Sequence, residues 1–199
     1  MGRIMLRIRK ITELAHLYLR LNVKEGEQVI DATAGNGFDT LFLADLVGKS
    51  GQVYAFDIQS EALAITKHKL NEHGIDDRVT LICDGHEKID LYIQNKVAAV
   101  IYNLGFLPGG DRDITTRSET TLNSLSKALP LLKNGGLAVL VLYPGHGEGK
   151  TERDHLLKYC YKLLPHDYSV LHLRLINQPN EPPELLVIQR NLFGMPGDA

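Results

Sequence analysis

The segment from Gln28 to Leu46 limits the fold of this chain more than any other. Gln28-Val29-Ile30 reads as the end of a buried strand, Asp31-Ala32-Thr33-Ala34-Gly35-Asn36-Gly37-Phe38-Asp39-Thr40 as a glycine-rich turn entering a helix, and Leu41-Phe42-Leu43-Ala44-Asp45-Leu46 as the amphipathic body of that helix. A strand that passes through such a turn into a helix N-terminus forms a cradle for nucleotide-like ligands, because unpaired backbone N–H groups gather there. Gly35 and Gly37 permit a sharp turn and a close backbone approach that a Cβ would block. Two more apolar runs repeat the pattern: Val53-Tyr54-Ala55-Phe56 ends in Asp57, and Val79 to Cys83 ends in Asp84-Gly85-His86. Ligands of open α/β sheets bind at the C-terminal strand ends. Asp31, Asp57 and Asp84 could each be only a helix cap, but three caps at three successive strand ends would be a coincidence.

The remaining sequence continues the alternation. Residues 4–21 place apolar residues at helical spacing, interleaved near the start with Arg3, Arg7, Arg9 and Lys10. The spacing predicts strands near 28–32, 52–57, 78–83, 97–102 and 137–143, and helices near 37–47, 60–73, 115–132 and 149–163. Val97 to Tyr102 is apolar throughout, as a central strand would be. Asn134-Gly135-Gly136 is expected to break the preceding helix. Two late strands, near 168–175 and 184–190, are close enough to pair antiparallel. The sum is an α/β fold: a doubly wound, mostly parallel, seven-stranded sheet with helices on both faces, in one domain over residues 1–199.

The turn lacks the third glycine of G-x-G-x-x-G, and Asp31 sets a carboxylate where a dinucleotide would carry its pyrophosphate. Both facts argue against a nicotinamide cofactor and for a cationic one without phosphates, S-adenosylmethionine (SAM). Asp57 would accept the ribose hydroxyls, with Gln59 assisting. Asp84 and His86 should lie near the adenine. Asp31, Gly35, Asn36, Gly37 and Asp39 should surround the methionine part.

Chemistry beyond the cofactor has two candidate loops. Asn103-Leu104-Gly105-Phe106-Leu107-Pro108-Gly109-Gly110-Asp111 follows the central strand. Asn103 can donate and accept at once, so it could orient an amine or a base edge. Tyr143-Pro144-Gly145-His146-Gly147-Glu148-Gly149 follows the next strand and should face the same crevice. His146, Asp111 or water could take a proton; Glu148 suits the N-terminus of the following helix. Arg112 and Arg117 flank the first loop and could meet phosphates. Asn180-Glu181-Pro182-Pro183-Glu184 reads equally as a rigid hairpin loop or as a substrate contact.

Composition removes several classes. At 199 residues and a net charge of -2 the chain is no polycation, so any nucleic-acid contact needs a local basic patch. Cys83, in a strand expected to be buried, and Cys160 are far apart and suggest neither a disulfide framework nor a metal site; they fit a reducing cytoplasm. No apolar run approaches the roughly 20 residues of a membrane helix, and the N-terminus carries no signal peptide. The sequence leaves the oligomeric state open, a homodimer included.

Five stretches together resemble one family: Asp31 to Thr40, Phe56-Asp57-Ile58-Gln59, Asn103 to Asp111, Ile114-Thr115-Thr116 and Tyr143-Pro144-Gly145-His146. They are similar to small bacterial class I (Rossmann-like) methyltransferases long labelled rRNA methylases, and the resemblance runs from about residue 11 to 190. One departure is Phe106, where the family more often has tyrosine. The resemblance implies SAM-dependent methylation of the 5-aminomethyl group of 5-aminomethyl-2-thiouridine at the tRNA wobble position. The partner would be the anticodon stem-loop, with no metal and no membrane. On this reading Asn103, His146 and Asp111 serve the chemistry, and Arg112, Arg117 and Tyr143 hold the substrate. Methylation of rRNA or a small molecule, or a non-catalytic SAM-binding RNA module, are the alternatives.

Overall fold

The structure, a computed structural model, describes residues 10–105, 116–145 and 147–192. Seven strands, β1 (Gln28–Asp31), β2 (Gln52–Asp57), β3 (Val79–Cys83), β4 (Val97–Asn103), β5 (Leu132–Leu142), β6 (Tyr168–Leu173) and β7 (Glu184–Arg190), form one sheet in the order β3-β2-β1-β4-β5-β7-β6. The first five are parallel, and β7 pairs antiparallel with both β5 and β6. The order reverses between β1 and β4, so a crevice opens at their C-terminal ends. Register brings Asp31 level with Ala55 and Ile101, and Asn103 level with Val141. The functional strand ends therefore share one rim.

Both sheet faces are covered, which explains the runs without polar alternation. Helices α1 (Ile11–Asn22), α2 (Phe38–Val47) and α3 (Ser60–His73) lie on one side, where Ala15, Leu19, Leu43, Val47 and Leu70 pack on Val29, Val53, Ile101 and Val139. Helices α4 (Ile89–Tyr92), α5 (Ser118–Leu131) and α6 (Gly147–Cys160) cover the other, where Ile89, Leu125, Leu129 and Leu156 pack on Ile30, Val100, Tyr102 and Leu140. Neighbours in sequence such as Val29 and Ile30 thus enter opposite cores, each fully buried. Burying one such side chain is worth about 1.5–3 kcal/mol, so a strand apolar on both faces belongs in the middle. β4 does sit at the fourth of seven positions.

Several sequence expectations change. The helix before β5 ends at Leu131, ahead of Asn134-Gly135-Gly136, and those residues lie inside β5. They form an irregularity opposite the Val97–Ala99 register shift, with Gly135 at φ 77°. A Cβ at Gly136 would sit 2.9 Å from the Lys133 carbonyl oxygen, so the glycines serve a strand bulge. β3 is an edge strand, and Cys83 is exposed; Cys160 is the buried cysteine. The basic residues Arg3, Arg7 and Arg9 lie outside the described residues, and the described helix begins at Ile11. Among the described residues no helix is long and apolar enough to cross a membrane.

Candidate active site

A cavity of about 850 Å³ opens at the rim where β1, β2 and β4 end. Its floor at one end is the glycine turn. Gly35 (φ 50°) and Gly37 (φ 81°) take the left-handed backbone that only glycine adopts freely. A Cβ on Gly37 would meet Thr66 Oγ1 at 2.7 Å, so the second glycine serves the close approach of α3. Thr66 Oγ1 also donates to the Gly35 carbonyl at 2.9 Å, and Lys69 Nζ donates to that of Asn36 at 2.6 Å. The turn is held from outside, and its inner face is left to a ligand.

Asp57 closes this cradle. Its Oδ2 accepts the Gly35 N–H at 2.8 Å and its Oδ1 accepts the Gln59 N–H at 2.9 Å. Each carboxylate oxygen has more than one acceptor site, so both retain capacity toward the cavity that Asp57 lines. Asp84 accepts from the Gly85 N–H, Lys88 Nζ and the Tyr92 hydroxyl. The Lys88 hydrogen bond, followed by that of Gly85, holds its carboxyl below the usual carboxylate range. His86 lines the same end. Burial pushes its imidazole down to about 4, so the ring is neutral near pH 7. Its Nδ1 is buried and has no hydrogen-bond partner among the described residues. An orphaned ring nitrogen beside two carboxylate-bearing strand ends and a glycine cradle fits an adenosine-type cofactor such as SAM.

Two expectations need correction here. Asp31 does not line the cavity; it is fully buried beneath it. Its Oδ1 accepts the Thr33 N–H at 3.1 Å and its Oδ2 the Thr40 hydroxyl at 2.6 Å. Burial, reinforced by the charge of Asp39, pushes its carboxyl up to about 7. Gly37 also stays behind the wall, against Thr66. The carboxylate that faces the cavity from this turn is Asp39, in the first turn of α2. The reason is helical phase: Asp31 ends a strand and points down into α2, whereas Asp39 points back across the rim.

The other end of the cavity is assembled from distant elements. Asn103 ends β4; its N–H donates to Thr33 Oγ1 at 2.7 Å and its Nδ2 to Asp39 Oδ2 at 3.1 Å. Tyr143 stands beside it, and burial, then the charge of Asp39, raises its phenol above the ordinary range. Arg117, at the N-cap position of α5, and the neighbouring Thr116 and Thr120 line the wall. The Gly105 N–H donates to Thr116 Oγ1, which in turn donates to the buried Glu152 at 3.0 Å. Asp111, Arg112 and His146 lie outside the described residues.

Glu181 and Pro183 also line the cavity, so the loop before β7 belongs to the site. Asn180 (φ 63°) and Glu181 (φ 44°) hold left-handed backbone without being glycine, a local strain that the surroundings must enforce. Glu184 anchors the loop: it is buried and accepts from His172 Nε2 at 2.7 Å, Arg174 Nε at 2.8 Å and Arg153 Nη1 at 3.3 Å. Sequence reasoning also missed Phe38 and His16. Phe38 lines the cavity mouth yet is 71% exposed, with Lys69 Nζ 3.8 Å from its ring centre. His16 of α1 binds the far side of Asp39, with Nε2 2.6 Å from Oδ1. Among the described residues no group of three or more His, Cys, Asp or Glu side chains could hold a metal ion.

Known proteins share this arrangement. A family profile described as "Putative rRNA methylase" matches residues 53–189, and one for protein-L-isoaspartate(D-aspartate) O-methyltransferase matches residues 7–90. The chain is 37% identical over 192 residues to the chloroplastic tRNA (mnm(5)s(2)U34)-methyltransferase of Arabidopsis thaliana, over 92% of this chain and 70% of that one. A solved structure with the rRNA-methylase description, from Clostridium thermocellum, superposes with a TM-score of 0.91 at 46% identity, covering 93% of this chain and 100% of that one. A Streptococcus mutans chain described as a methyltransferase, solved in complex with SAH, gives 0.84 at 36% identity, with 94% and 99% covered. Sequence likeness over most of the chain, the shared seven-stranded sheet and the cofactor-shaped cradle agree: the chain belongs to the rRNA-methylase family of class I enzymes and is a SAM-dependent methyltransferase.

Proposed function

We propose that the protein methylates the primary amine of 5-aminomethyl-2-thiouridine at the wobble position of tRNA, giving the 5-methylaminomethyl form. The observation that carries this reading is a single cavity with two differently built ends, one suited to the cofactor and one lined by Asn103, Tyr143 and Arg117. The activity of the Arabidopsis relative supports the identity of the nucleoside. On this reading the enzyme is cytoplasmic and meets the anticodon stem-loop of its tRNA.

SAM, when bound, would supply a sulfonium methyl group: the amine lone pair attacks the methyl carbon in line, and the C–S bond breaks with S-adenosylhomocysteine as the leaving group. The residues of the chain supply position. Asp57, helped by Gln59, receives the ribose hydroxyls; Asp84 and His86 face the adenine. Gly35, Asn36 and Asp39 border the methionine part, while Asp31 braces the turn from beneath. Asn103 and Tyr143 hold the acceptor nitrogen behind the methyl group, and holding reactants in line lowers the barrier directly. Arg117, with Arg112, meets backbone phosphate. An alkyl ammonium such as that of lysine has a pKa near ~10.4, so the acceptor must shed a proton before it reacts. His146 and Asp111 remain the candidates to receive it, or water does so. The Tyr143 phenol stays protonated at neutral pH, so it orients the acceptor by hydrogen bonding.

The test uses tRNA from cells that lack this enzyme, incubated with the protein and labelled SAM. Methyl on the wobble aminomethyl nitrogen is the expected result. The family description makes rRNA the second reading; label found only in rRNA, or on a small molecule, overturns the first.

A further inference from the structure

We propose that His16 selects what the methyl-transfer site accepts: through Asp39 it turns the side-chain amide of Asn103 so that its carbonyl oxygen, and not its NH2, is offered to the acceptor. The inference takes from the function proposed above only the placement of Asn103 at the acceptor.

Three elements meet at Asp39, which is 8% exposed at the cavity wall. Its Oδ1 is 2.6 Å from His16 Nε2 of α1, and its Oδ2 is 3.1 Å from Asn103 Nδ2 at the end of β4. An ionised carboxylate only accepts hydrogen bonds, so both partners must present N–H. That assigns the proton of His16 to Nε2 and points the NH2 of Asn103 at Asp39. The Asn103 main chain is already pinned, by its N–H on Thr33 Oγ1 and by its pairing with Val141 of β5. What this side chain can then offer the acceptor is Oδ1. A bare carbonyl oxygen attracts an N–H or O–H donor and repels a carbonyl, a phosphate oxygen or a ring-nitrogen lone pair. An amine suits it: one N–H is held by Oδ1 while the lone pair stays free for the methyl group.

The arrangement depends on His16 because the Asp39 carboxylate is fixed by one N–H donor on each oxygen, His16 on Oδ1 and Asn103 on Oδ2. Asp31 faces it from β1, and Tyr143 faces it from the end of β5. Without the His16 donor, Oδ1 loses its anchor and the carboxylate rotates, carrying Oδ2 away from Asn103 Nδ2. With Oδ2 displaced, the hydrogen bond that orients the Asn103 amide is lost. The imidazole is itself held in place. It stacks on Phe42 of α2 with ring centres 3.8 Å apart and planes 3° from parallel, and the Arg20 guanidinium lies 4.9 Å from the same ring. His16 is thus a positioning residue, acting through Asp39 on a group that touches the acceptor.

Two substitutions separate the hydrogen bond from the stack. His16→Phe keeps an aromatic ring on Phe42 and removes the donor; His16→Gln keeps an N–H at the reach of Nε2 and removes the stack. We expect His16→Phe to lower kcat for methyl transfer at least tenfold while the Kd for SAM stays within about threefold, and His16→Gln to recover most of that loss. Wild-type turnover in His16→Phe, or equal losses in both variants, overturns the proposal. A readout that needs no acceptor runs beside it: the 15N side-chain amide signal of Asn103, assigned by its disappearance in Asn103→Ala. In His16→Phe that signal should shift and its protons should exchange at least tenfold faster, and in His16→Gln it should not; an unmoved signal in His16→Phe overturns the proposal. If His16→Phe does not fold, His16→Leu, which also removes the donor, should release the same amide signal, and an unmoved signal there overturns the proposal. Wild-type protein that leaves the wobble amine unmethylated would overturn the substrate reading, and the amide signal would still decide the role of His16.

Discussion

The cofactor end and the acceptor end of the cavity are built by different means. At the cofactor end the main chain does the shaping: Gly35 and Gln59 give their N–H groups to Asp57, and Gly85 gives its own to Asp84. Each of these contacts lies at the end of a strand or within one strand–helix–strand unit. At the acceptor end side chains converge from α1, α2, β4, the start of α5 and the loop before β7, and residues as far apart as Asp39 and Asn103 touch. A backbone cradle carries one ligand of fixed shape on many proteins of this fold. A convergence of side chains can be rebuilt for a new acceptor without disturbing the cradle.

The predictions separate the two ends, and the largest effect belongs to the acceptor end. Asn103→Ala should lower kcat about a hundredfold, the scale of a mispositioned reactant, with SAM affinity unchanged by calorimetry. The loss should appear at every pH, since the role is orientation. A parallel loss of SAM affinity would erase the distinction between the two ends.

Asp57→Ala should do the reverse. Losing hydrogen bonds to a charged acceptor costs roughly 1.5–3 kcal/mol, or tenfold to a hundredfold in SAM affinity. Calorimetry on this variant checks it, and unchanged affinity would remove Asp57 from the cradle.

Phe38, the first residue of α2, lines the cavity and is 71% exposed. Stacking of a base on an aromatic side chain is worth ~1–3 kcal/mol. Phe38→Ala should therefore raise the KM for tRNA several-fold to about tenfold, as should Arg117→Ala more weakly, with the Kd for SAM unchanged. Steady-state kinetics with tRNA and calorimetry with SAM distinguish the outcomes. A weakened SAM affinity in Phe38→Ala would assign the ring to the cofactor end.

The last prediction concerns the brace beneath the turn, and it is read in stability instead of turnover. In the folded protein Asp31 keeps its proton up to about pH 7, against an ordinary value of 3.8. A pKa raised by folding contributes stability that is full below pH 3.8 and is lost as pH rises through 7. Relative to Asp31→Asn, the wild type should lose on the order of 1 kcal/mol per pH unit between about pH 4 and 7. Urea unfolding of both proteins at pH 5 and 7 measures the difference. A constant difference would show that Asp31 is charged in the fold, and that the cofactor end holds two buried carboxylates instead of one.

Much of this molecule could be read from its residues in order. The apolar runs at 53–56 and 97–102 lie in β2 and β4 because burial between flanking strands leaves a local mark in sequence. Asp57, Asp84 and Asn103 reached the cavity because a residue that follows a parallel strand is carried to its C-terminal rim. Other features were hidden for physical reasons. Gly135-Gly136 looks the same whether it stops a helix or bends a strand, and only pairing with β4 distinguishes the two. Cys83 is exposed because β3 lies at the edge, and an apolar pattern does not state strand order.

The kind of fold, the rim at which ligands bind and the cradle for the cofactor are legible in the residues alone, since each follows from periodicity and turn chemistry within a few tens of residues. Tertiary structure alone decided that Asp39 and not Asp31 faces the cavity, that the strained loop at Asn180 and Glu181 reaches it, and that His16 stands behind Asp39. Those contacts join α1, α2, β4 and the loop before β7, whose separation along the chain carries no periodic signal. They exist only once the sheet has been ordered and its helices packed.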